Sequence, residues 1–273
     1  MNIAAILAPY DSGHHRQRMG LGPEHLWTAI EPLLNQKGHP TRGDVIAIPG
    51  DFLSEIATAF GVAREIAGRV AECRRDGWMP LVLSGNCNAS LGTVSGCGGG
   101  TAVVWFDAHG EATTPETTRS GFLDGMGISM LTGQCWHRLT HSVPGFAPLD
   151  GDRIILVGAR DVEPDETNLL QRVGVRRVNR LDDLPAALEP LRTDARIDGV
   201  YVHLDLDVID PREATANQWA PADGLSVAAM RDALIEVRKT LPIKAVGLAS
   251  YSPAADRDGR ALRAAAMMID ALC

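Results

Sequence analysis

The sequence predicts one α/β domain, residues 1–273, in which a mostly parallel sheet of about eight strands is flanked by helices. Three observations predict this fold. Short apolar runs alternate with amphipathic stretches along the whole chain. Several runs are continuous in Val, Ile and Leu, which is typical of strands covered on both faces. The chain has 273 residues and is 45% hydrophobic, within the range of one large α/β unit.

Each element follows from its own stretch of sequence. The eight predicted strands are NIAAILAPY (2–10), DVIAIPG (44–50), PLVLSG (80–85), TAVVWFDA (101–108), RIILVGAR (153–160), GVRRVN (174–179), GVYVHLDLDV (199–208) and IKAVGLAS (243–250). The predicted helices cover 23–36, 54–75, 184–192, 227–240 and 258–272. Ser226 is a suitable N-cap for the fourth helix, because its hydroxyl can accept a hydrogen bond from the first turn.

Composition excludes several classes of protein. The net charge of −8 argues against a nucleic-acid partner. The sequence has no apolar run long enough to span a membrane, and the N-terminus lacks the basic region of a signal peptide, so we expect a cytoplasmic protein. Five cysteines, an odd number without a CxxC pair, argue against a disulfide framework.

Ionisable residues follow two of the predicted strands. Asp107, His109 and Glu111 alternate after one strand, and Asp205 and Asp207 alternate at the end of another. Sites in parallel sheets form at the carboxyl ends of strands. Buried like charges there need neutralisation, which one or two divalent cations provide. Carboxylates with one imidazole suit Mn²⁺ or Mg²⁺ more than Zn²⁺. A salt-bridged surface of loop carboxylates is the alternative for either motif alone.

The two motifs resemble those of a known family. DAHGE and HLDLDVIDP are similar to the metal signatures DAHxD and SxDxDxxDP of the arginase/agmatinase (ureohydrolase) superfamily. Further segments resemble the family in the same order: APYDSG with GLGPEHL, LVLSGNCNASLG, DAHGEATTPETTRSGFLDGMGISM, LVGARDVEPDE, APADGLS and GLASYSPAADRDGRALRAAA. The resemblance covers almost the whole chain and implies the three-layer arginase-like fold.

The resemblance also implies a chemistry: hydrolysis of a guanidino group by hydroxide formed from a water shared between two Mn²⁺ ions. The metal ligands that it implies are Cys87, Asp107, His109, Glu111, Asp205 and Asp207. The alternative from another functional class is a family member that keeps the fold and binds an amino acid or a partner without catalysis.

The resemblance implies a substrate that is a small guanidino amino acid. Thr113, Thr118 and Ser120 lie where arginases bind the α-carboxylate, and Thr113 replaces the usual Asn. Glu163 and Glu166 lie where they bind the α-ammonium. These residues favour an amino acid over a decarboxylated amine such as agmatine.

The sequence departs from the family pattern at four positions. Cys87 replaces a His ligand, and Glu111 replaces an Asp ligand. As a thiolate, Cys87 would add a negative charge and weaken the cations as Lewis acids; the alternative is that it does not coordinate. Asp124 stands where arginases carry a proton-shuttling His, and could relay a proton to the leaving amine or be a solvent-facing loop residue. Ser250 matches a Glu placed near the guanidinium.

The loss of that Glu favours a less basic substrate. A guanidinium cation without a partner carboxylate would be penalised, whereas an N-hydroxyguanidine can enter neutral. The departures, Cys87 in particular, resemble the family's Nω-hydroxy-L-arginine hydrolases of D-cycloserine biosynthesis. That resemblance implies L-ornithine and hydroxyurea as products. An ordinary arginase, or another guanidino-acid hydrolase that releases urea, is the alternative.

Overall fold

The computed structural model describes residues 1–50 and 52–273, and its centre is a sheet of eight parallel strands. The strands in chain order are β1 (Ile3–Ala8), β2 (Tyr10–Asp11), β3 (His14–His15), β4 (Thr41–Val45), β5 (Met79–Ser84), β6 (Thr101–Phe106), β7 (Ile154–Val157), β8 (Arg176–Val178), β9 (Gly199–Asp205) and β10 (Ile243–Ala249). The spatial order is β4-β1-β5-β10-β9-β6-β7-β8, and β2 with β3 forms a separate small hairpin.

Helices cover both faces of the sheet. They are α1 (Gly22–Gln36), α2 (Glu55–Arg75), α3 (Ser90–Cys97), α4 (Gly127–Leu131), α5 (His137–Thr140), α6 (Pro164–Val173), α7 (Leu184–Thr193), α8 (Val227–Thr240) and α9 (Arg260–Leu272). One hydrophobic core packs α1, α7, α8 and α9 against one face, and a second packs α2, α3, α4 and α6 against the other. Alternate residues of β1 enter the two cores, as the period of a strand requires. The predicted α/β fold with a parallel sheet is confirmed.

Local sequence signals account for the helix starts. The Ser54 hydroxyl accepts a hydrogen bond from Ala57 N, and the Ser226 hydroxyl accepts one from Ala229 N, both at 3.1 Å. Each bond satisfies one of the amide groups that a first turn leaves unpaired. The predicted cap at Ser226 and the helix that follows it are confirmed.

The strand predicted at 44–50 was placed too late. The observed strand β4 is Thr41–Val45, paired with β1 from Thr41 opposite Ile3. Beyond it, the amide of Ile48 donates to the Tyr10 hydroxyl at 2.8 Å instead of to a strand. The Ile46 amide still donates to Leu7 O at 2.8 Å, so pairing with β1 ends at this residue, and the rest of the predicted run is not a strand.

Two helices of eight residues or more were not predicted. Helix α3 contains Gly92 and Gly96, which lower helix propensity. Both glycines are needed for packing, because a Cβ on either would overlap backbone carbonyls of α2. Helix α6 begins at Pro164 after a capping box formed by Glu163 and Glu166, a signal that the sequence does carry.

The sheet order decides where chemistry can occur. Strands β5, β10, β9 and β6 are its four central strands, and each has neighbours on both sides. Because all run parallel, their carboxyl ends open at one edge of the sheet, between the two helical layers.

Contact between α2 and α3 gives a test of the packing. An alanine at Gly92 would collide with the carbonyl of Ala63 and approach the Ile66 Cβ to 2.9 Å, so Gly92→Ala should destabilise the protein by about 1–3 kcal/mol. The control is Gly68→Ala, at an exposed position inside α2 with no atom within 4 Å of the added Cβ. This control should stabilise by about 0.5–1 kcal/mol. Urea denaturation of both variants measures the difference; equal stabilities would contradict the packing described.

Candidate metal centre

The central strands bring the acidic motifs together. Asp107 follows β6, Asp205 ends β9, Cys87 lies three residues beyond β5, and Ser250 directly follows β10. All four side chains are buried. A cluster that looks scattered over more than 160 residues of sequence is therefore one site at one edge of the sheet.

Backbone and side-chain donors orient the first two carboxylates. Asp107 is fully buried and accepts hydrogen bonds from Trp105 Nε1 at 2.8 Å and from the amide of His109 at 2.7 Å. The Asp207 carboxylate accepts from the amide of Ala108 at 3.2 Å. His109 Nδ1 lies 3.4 Å from Asp107 Oδ1 and 3.2 Å from Asp207 Oδ2. These contacts join the ends of β6 and β9.

Cys87 lies against the acids rather than apart from them. Its thiol donates to Asp205 Oδ2 at 2.9 Å, and its sulfur lies 3.8 Å from Asp107 Oδ2 and 3.5 Å from Ser250 Oγ. Burial raises the pKa of Cys87 well above its usual range, and the neighbouring carboxylates raise it further. The thiol would become a thiolate here only beside a cation.

Glu111 has a buried oxygen that no donor satisfies. The residue is 5% exposed and adopts the left-handed conformation, with φ of 54°. Its Oε2 has no hydrogen-bond partner among the residues that the structure describes. Burial raises the pKa of Glu111 well above its usual range, with further contributions from Asp107 and Asp124. A buried carboxylate oxygen without a partner fits a position facing a cation.

Burial and mutual repulsion give the same indication for the other acids. Burial raises the pKa of Asp107 and of Asp205 most strongly. Repulsion by the negative charge of Asp207 raises both pKa values further. The imidazole of His109 is the basic group in contact with these carboxylates. Its single positive charge does not balance the negative charges of the acids around it. The donor set therefore fits divalent cations.

Among the residues that the structure describes, three groups of side chains could hold a cation, each with ligand atoms within 4.8 Å of one another. The groups are Asp107 with His109 and Asp207, Cys87 with Glu111 and Asp124, and Cys87 with Asp107 and His203. Five of the six ligands expected from the sequence belong to these groups, and Asp205 contacts Cys87 directly.

Sequence reasoning assigned no ligand role to His203. The signal was present, because His203 lies two residues before Asp205 on the same strand and so shares its face.

Asp124 is buried rather than solvent-facing. Its carboxylate accepts from Asn86 Nδ2 at 2.8 Å and from the amide of Asn88 at 3.1 Å. Burial raises the pKa of Asp124 to about 7, against the lowering effect of these two bonds. The asparagines that follow β5 were not predicted to have a role at the site. Their contacts hold Asp124 beside the cation ligands with a proton affinity suited to exchange near neutral pH.

Three hydroxyl residues are expected to bind the α-carboxylate, and they differ in whether their hydroxyl proton is free to bond to a ligand. Thr118 Oγ1 accepts from the amide of Gly121, and Ser120 Oγ accepts from the amide of Phe122, each at 3.1 Å. Both hydroxyl protons remain available to a ligand. Thr113 already donates its hydroxyl proton to a backbone carbonyl at 2.7 Å.

The two glutamates expected to bind the α-ammonium also differ. Both Glu166 oxygens accept backbone hydrogen bonds, from Ala112 at 3.0 Å and from Glu163 at 2.9 Å. Glu166 thereby joins the loop after β6 to the start of α6. Glu163 is partly exposed and forms an ion pair of 2.9 Å with Arg119, a cation that sequence reasoning did not consider.

Ser250 presents a hydroxyl where the family pattern has a carboxylate. It is 3% exposed, has φ of 62°, and its carbonyl accepts from Asn217 Nδ2 at 2.8 Å. This strained but well-anchored backbone directs a small side chain toward Cys87.

Comparisons with known proteins agree with this arrangement. The family model described as "Arginase family" matches residues 1–273. The chain belongs to the arginase family. It is 31% identical over 248 residues to Arginase-1 of Oryctolagus cuniculus, which covers 82% of this chain and 77% of that protein.

Solved structures show the same fold. The arginase of Bacillus subtilis subsp. subtilis superposes with a TM-score of 0.90 at 24% identity, covering 100% of this chain and 98% of the other. The Entamoeba histolytica arginase, solved in complex with L-ornithine, superposes with a TM-score of 0.88 at 21% identity, covering 99% of this chain and 97% of the other.

Membership of this family makes the chain a metal-dependent amidinohydrolase, a hydrolase of guanidino groups. The family depends on a binuclear metal centre, and the clusters above are the residues of this chain that fit one. Across the described residues, none of the helices has both the length and the apolar character needed to cross a membrane.

Removal of cations should destabilise the protein more as pH rises. Burial raises the pKa of Glu111 well above its usual range, so without cations its stabilising proton is present at low pH and is lost as pH rises through that raised pKa. The raised pKa of His109, about 12, acts in the same direction. Bound cations replace these protons, and they bind more tightly as ligands deprotonate.

Scanning calorimetry with and without a chelator measures this effect. We expect the Tm difference between loaded and stripped protein to be larger at about pH 8 than at about pH 5.5. Adding back excess Mn²⁺ is the control for damage by the chelator. A Tm difference that is independent of pH would contradict the electrostatic account.

Proposed function

We propose that this amidinohydrolase cleaves Nω-hydroxy-L-arginine to L-ornithine and hydroxyurea, in antibiotic biosynthesis of the D-cycloserine type. One observation supports the substrate most: buried Ser250 lies 3.5 Å from Cys87, at the position where the family pattern has Glu. A guanidinium cation would find the Ser250 hydroxyl there instead of the partner carboxylate of the family pattern. The hydroxyl of an N-hydroxyguanidine lowers its basicity, so that this substrate can enter neutral.

The proposed cofactor is a pair of Mn²⁺ ions. The residues that would hold them are Cys87, Asp107, His109, Glu111, Asp205 and Asp207. When bound, such cations make hydroxide available from water at neutral pH and stabilise negative charge on the substrate. Trp105 and the amides of Ala108 and His109 orient the carboxylates by the hydrogen bonds described above.

Asp124 has the environment of a proton donor. In the reaction a C–O bond forms from water to the guanidino carbon, and the bond from that carbon to the ornithine nitrogen breaks. The departing nitrogen needs a proton, and the water supplies one in net terms. A pKa of about 7 lets the buried Asp124 carboxyl take up and release that proton near neutrality.

Recognition of the amino-acid end is assigned to the loops beside the site. Thr118 and Ser120 have free hydroxyl protons for an α-carboxylate, and Glu163 offers a partly exposed carboxylate for an α-ammonium. Thr113 and Glu166 support these loops through their own hydrogen bonds. The Entamoeba histolytica arginase was solved in complex with L-ornithine, which supports an amino-acid ligand for this chain.

Arginine hydrolysis with release of urea is the second candidate. The names of the relatives favour it, since several are arginases. The two candidates differ in what faces the guanidino group, so position 250 separates them.

Substrate preference should follow the side chain at position 250. We expect kcat/KM for hydroxyarginine to exceed that for arginine by at least about tenfold, because only the hydroxylated substrate enters neutral. Ser250→Glu should shift the ratio toward arginine by restoring a counter-charge. Ser252→Glu, in the same loop but partly exposed, is the matched control. Colorimetric assays of hydroxyurea and urea measure the ratio; comparable kcat/KM values in the parent protein would refute the preference.

Loss of the Asp124 proton should slow turnover. Asp124→Asn keeps the shape of the side chain but cannot carry the proton, so kcat should fall by about 10²–10⁴-fold. Exposed Asp182→Asn is the control. Cation content measured on the same samples shows whether the variant still holds its metals. Unchanged turnover with normal cation content would remove Asp124 from the mechanism.

A further inference from the structure

His203 is a buried imidazole that the proposed function does not use. It is 1% exposed and lies on β9, two residues before Asp205 and on the same face. Its Nδ1 lies 2.8 Å from the Tyr201 hydroxyl. Its Nε2 has no hydrogen-bond partner among the described residues. A fully buried ring nitrogen without a partner lowers the stability of the protein unless something else satisfies it.

The surrounding residues hold this ring in one orientation. The ring of Trp105 packs against it with centroids 3.9 Å apart, while Trp105 Nε1 donates to Asp107. Gly247 on β10 is paired with His203, and a Cβ there would overlap the Tyr201 hydroxyl. The absence of a side chain at Gly247 thus leaves room for the hydroxyl that fixes the imidazole.

The hydrogen bonds allow Nε2 to present a lone pair. A tyrosine hydroxyl can donate or accept, so the Tyr201 hydroxyl, 2.8 Å from Nδ1, can be the acceptor in this contact. It then accepts the Nδ1 proton of His203, which leaves Nε2 unprotonated. Metal-binding histidines commonly donate their second N–H to an oxygen in this way, which sets the tautomer.

The free nitrogen belongs to a cluster of ligand types. A ring nitrogen of His203, the sulfur of Cys87 and a carboxylate oxygen of Asp107 lie within 4.8 Å of one another. A nitrogen and a sulfur beside one carboxylate suit borderline cations such as Zn²⁺ or Co²⁺. The group of Asp107, His109 and Asp207 at the other side of Asp107 has a harder set of donors.

We propose that His203 Nε2 joins Cys87 Sγ and Asp107 as a ligand on one side of the cation centre, so that this side, a subsite of the centre, binds Zn²⁺ and Co²⁺ as well as the proposed Mn²⁺. The proposal rests on the proposed function only for a cation centre at these strand ends. It is independent of the substrate, since neither ligand choice nor tautomer involves the guanidino group.

Cobalt binding to the metal-free full-length chain tests the subsite. Titration with Co²⁺ alone should produce a sulfur-to-cobalt charge-transfer band in the parent protein. His203→Gln should weaken the Co²⁺ affinity read from this band by at least about tenfold, and Tyr201→Phe by a similar or smaller factor through the lost hydrogen bond. Cys87→Ser should abolish the band. Unchanged affinity and band shape in His203→Gln would overturn the proposal, as would tight Co²⁺ binding without a sulfur band in the parent protein.

Two further measurements keep the test decisive. If His203→Gln does not fold, X-ray absorption of the Zn²⁺-loaded parent protein replaces it; sulfur and imidazole scatterers on one zinc support the subsite, and oxygen scatterers alone overturn it. Hydrolysis of hydroxyarginine by Mn²⁺-loaded protein is assayed separately. If the parent protein shows the cobalt band but no preference for hydroxyarginine over arginine, the proposed function is refuted and the subsite stands.

Discussion

The burial of like charges is the constraint on which this site depends. The four central strands place carboxylates and a thiol at one edge of the sheet, where water cannot solvate them. The protein supplies the imidazole of His109 and several amide donors, but Glu111 Oε2 and His203 Nε2 are left without partners in the described structure. Divalent cations would neutralise this charge and, under the ligand roles proposed above, would also satisfy the unpartnered atoms.

The departures from the family pattern have opposite electrostatic effects at neighbouring positions. Under the proposed function, Cys87, when ionised, adds negative charge to the cation side of the site, and Ser250 lacks the negative charge of the matching family Glu on the substrate side. Their side chains lie 3.5 Å apart, so the two changes act on the same volume. A cation centre with more ligand charge is a weaker Lewis acid, which suits a substrate that is less basic and enters without its own charge.

Much of the fold and the candidate ligand set could be predicted from sequence. Continuous apolar strands ending in alternating acids indicate both the sheet and its functional edge, as at Asp107 and Asp205. Helix α3 was missed because Gly92 and Gly96 serve packing against α2, a tertiary reason that no propensity expresses. The potential of His203 as a ligand depends on a missing hydrogen bond, and the engagement of Glu166 depends on a loop far from it in sequence. Such properties arise only once the chain has folded.

A crystal structure of the Mn²⁺-loaded protein, with anomalous scattering recorded for manganese, tests the central claim most directly. The account predicts anomalous peaks among the buried carboxylates that follow β6 and β9, with one peak between Asp107 and Asp207. Carboxylates that point apart, or that enclose no anomalous peak at saturating Mn²⁺, would contradict it.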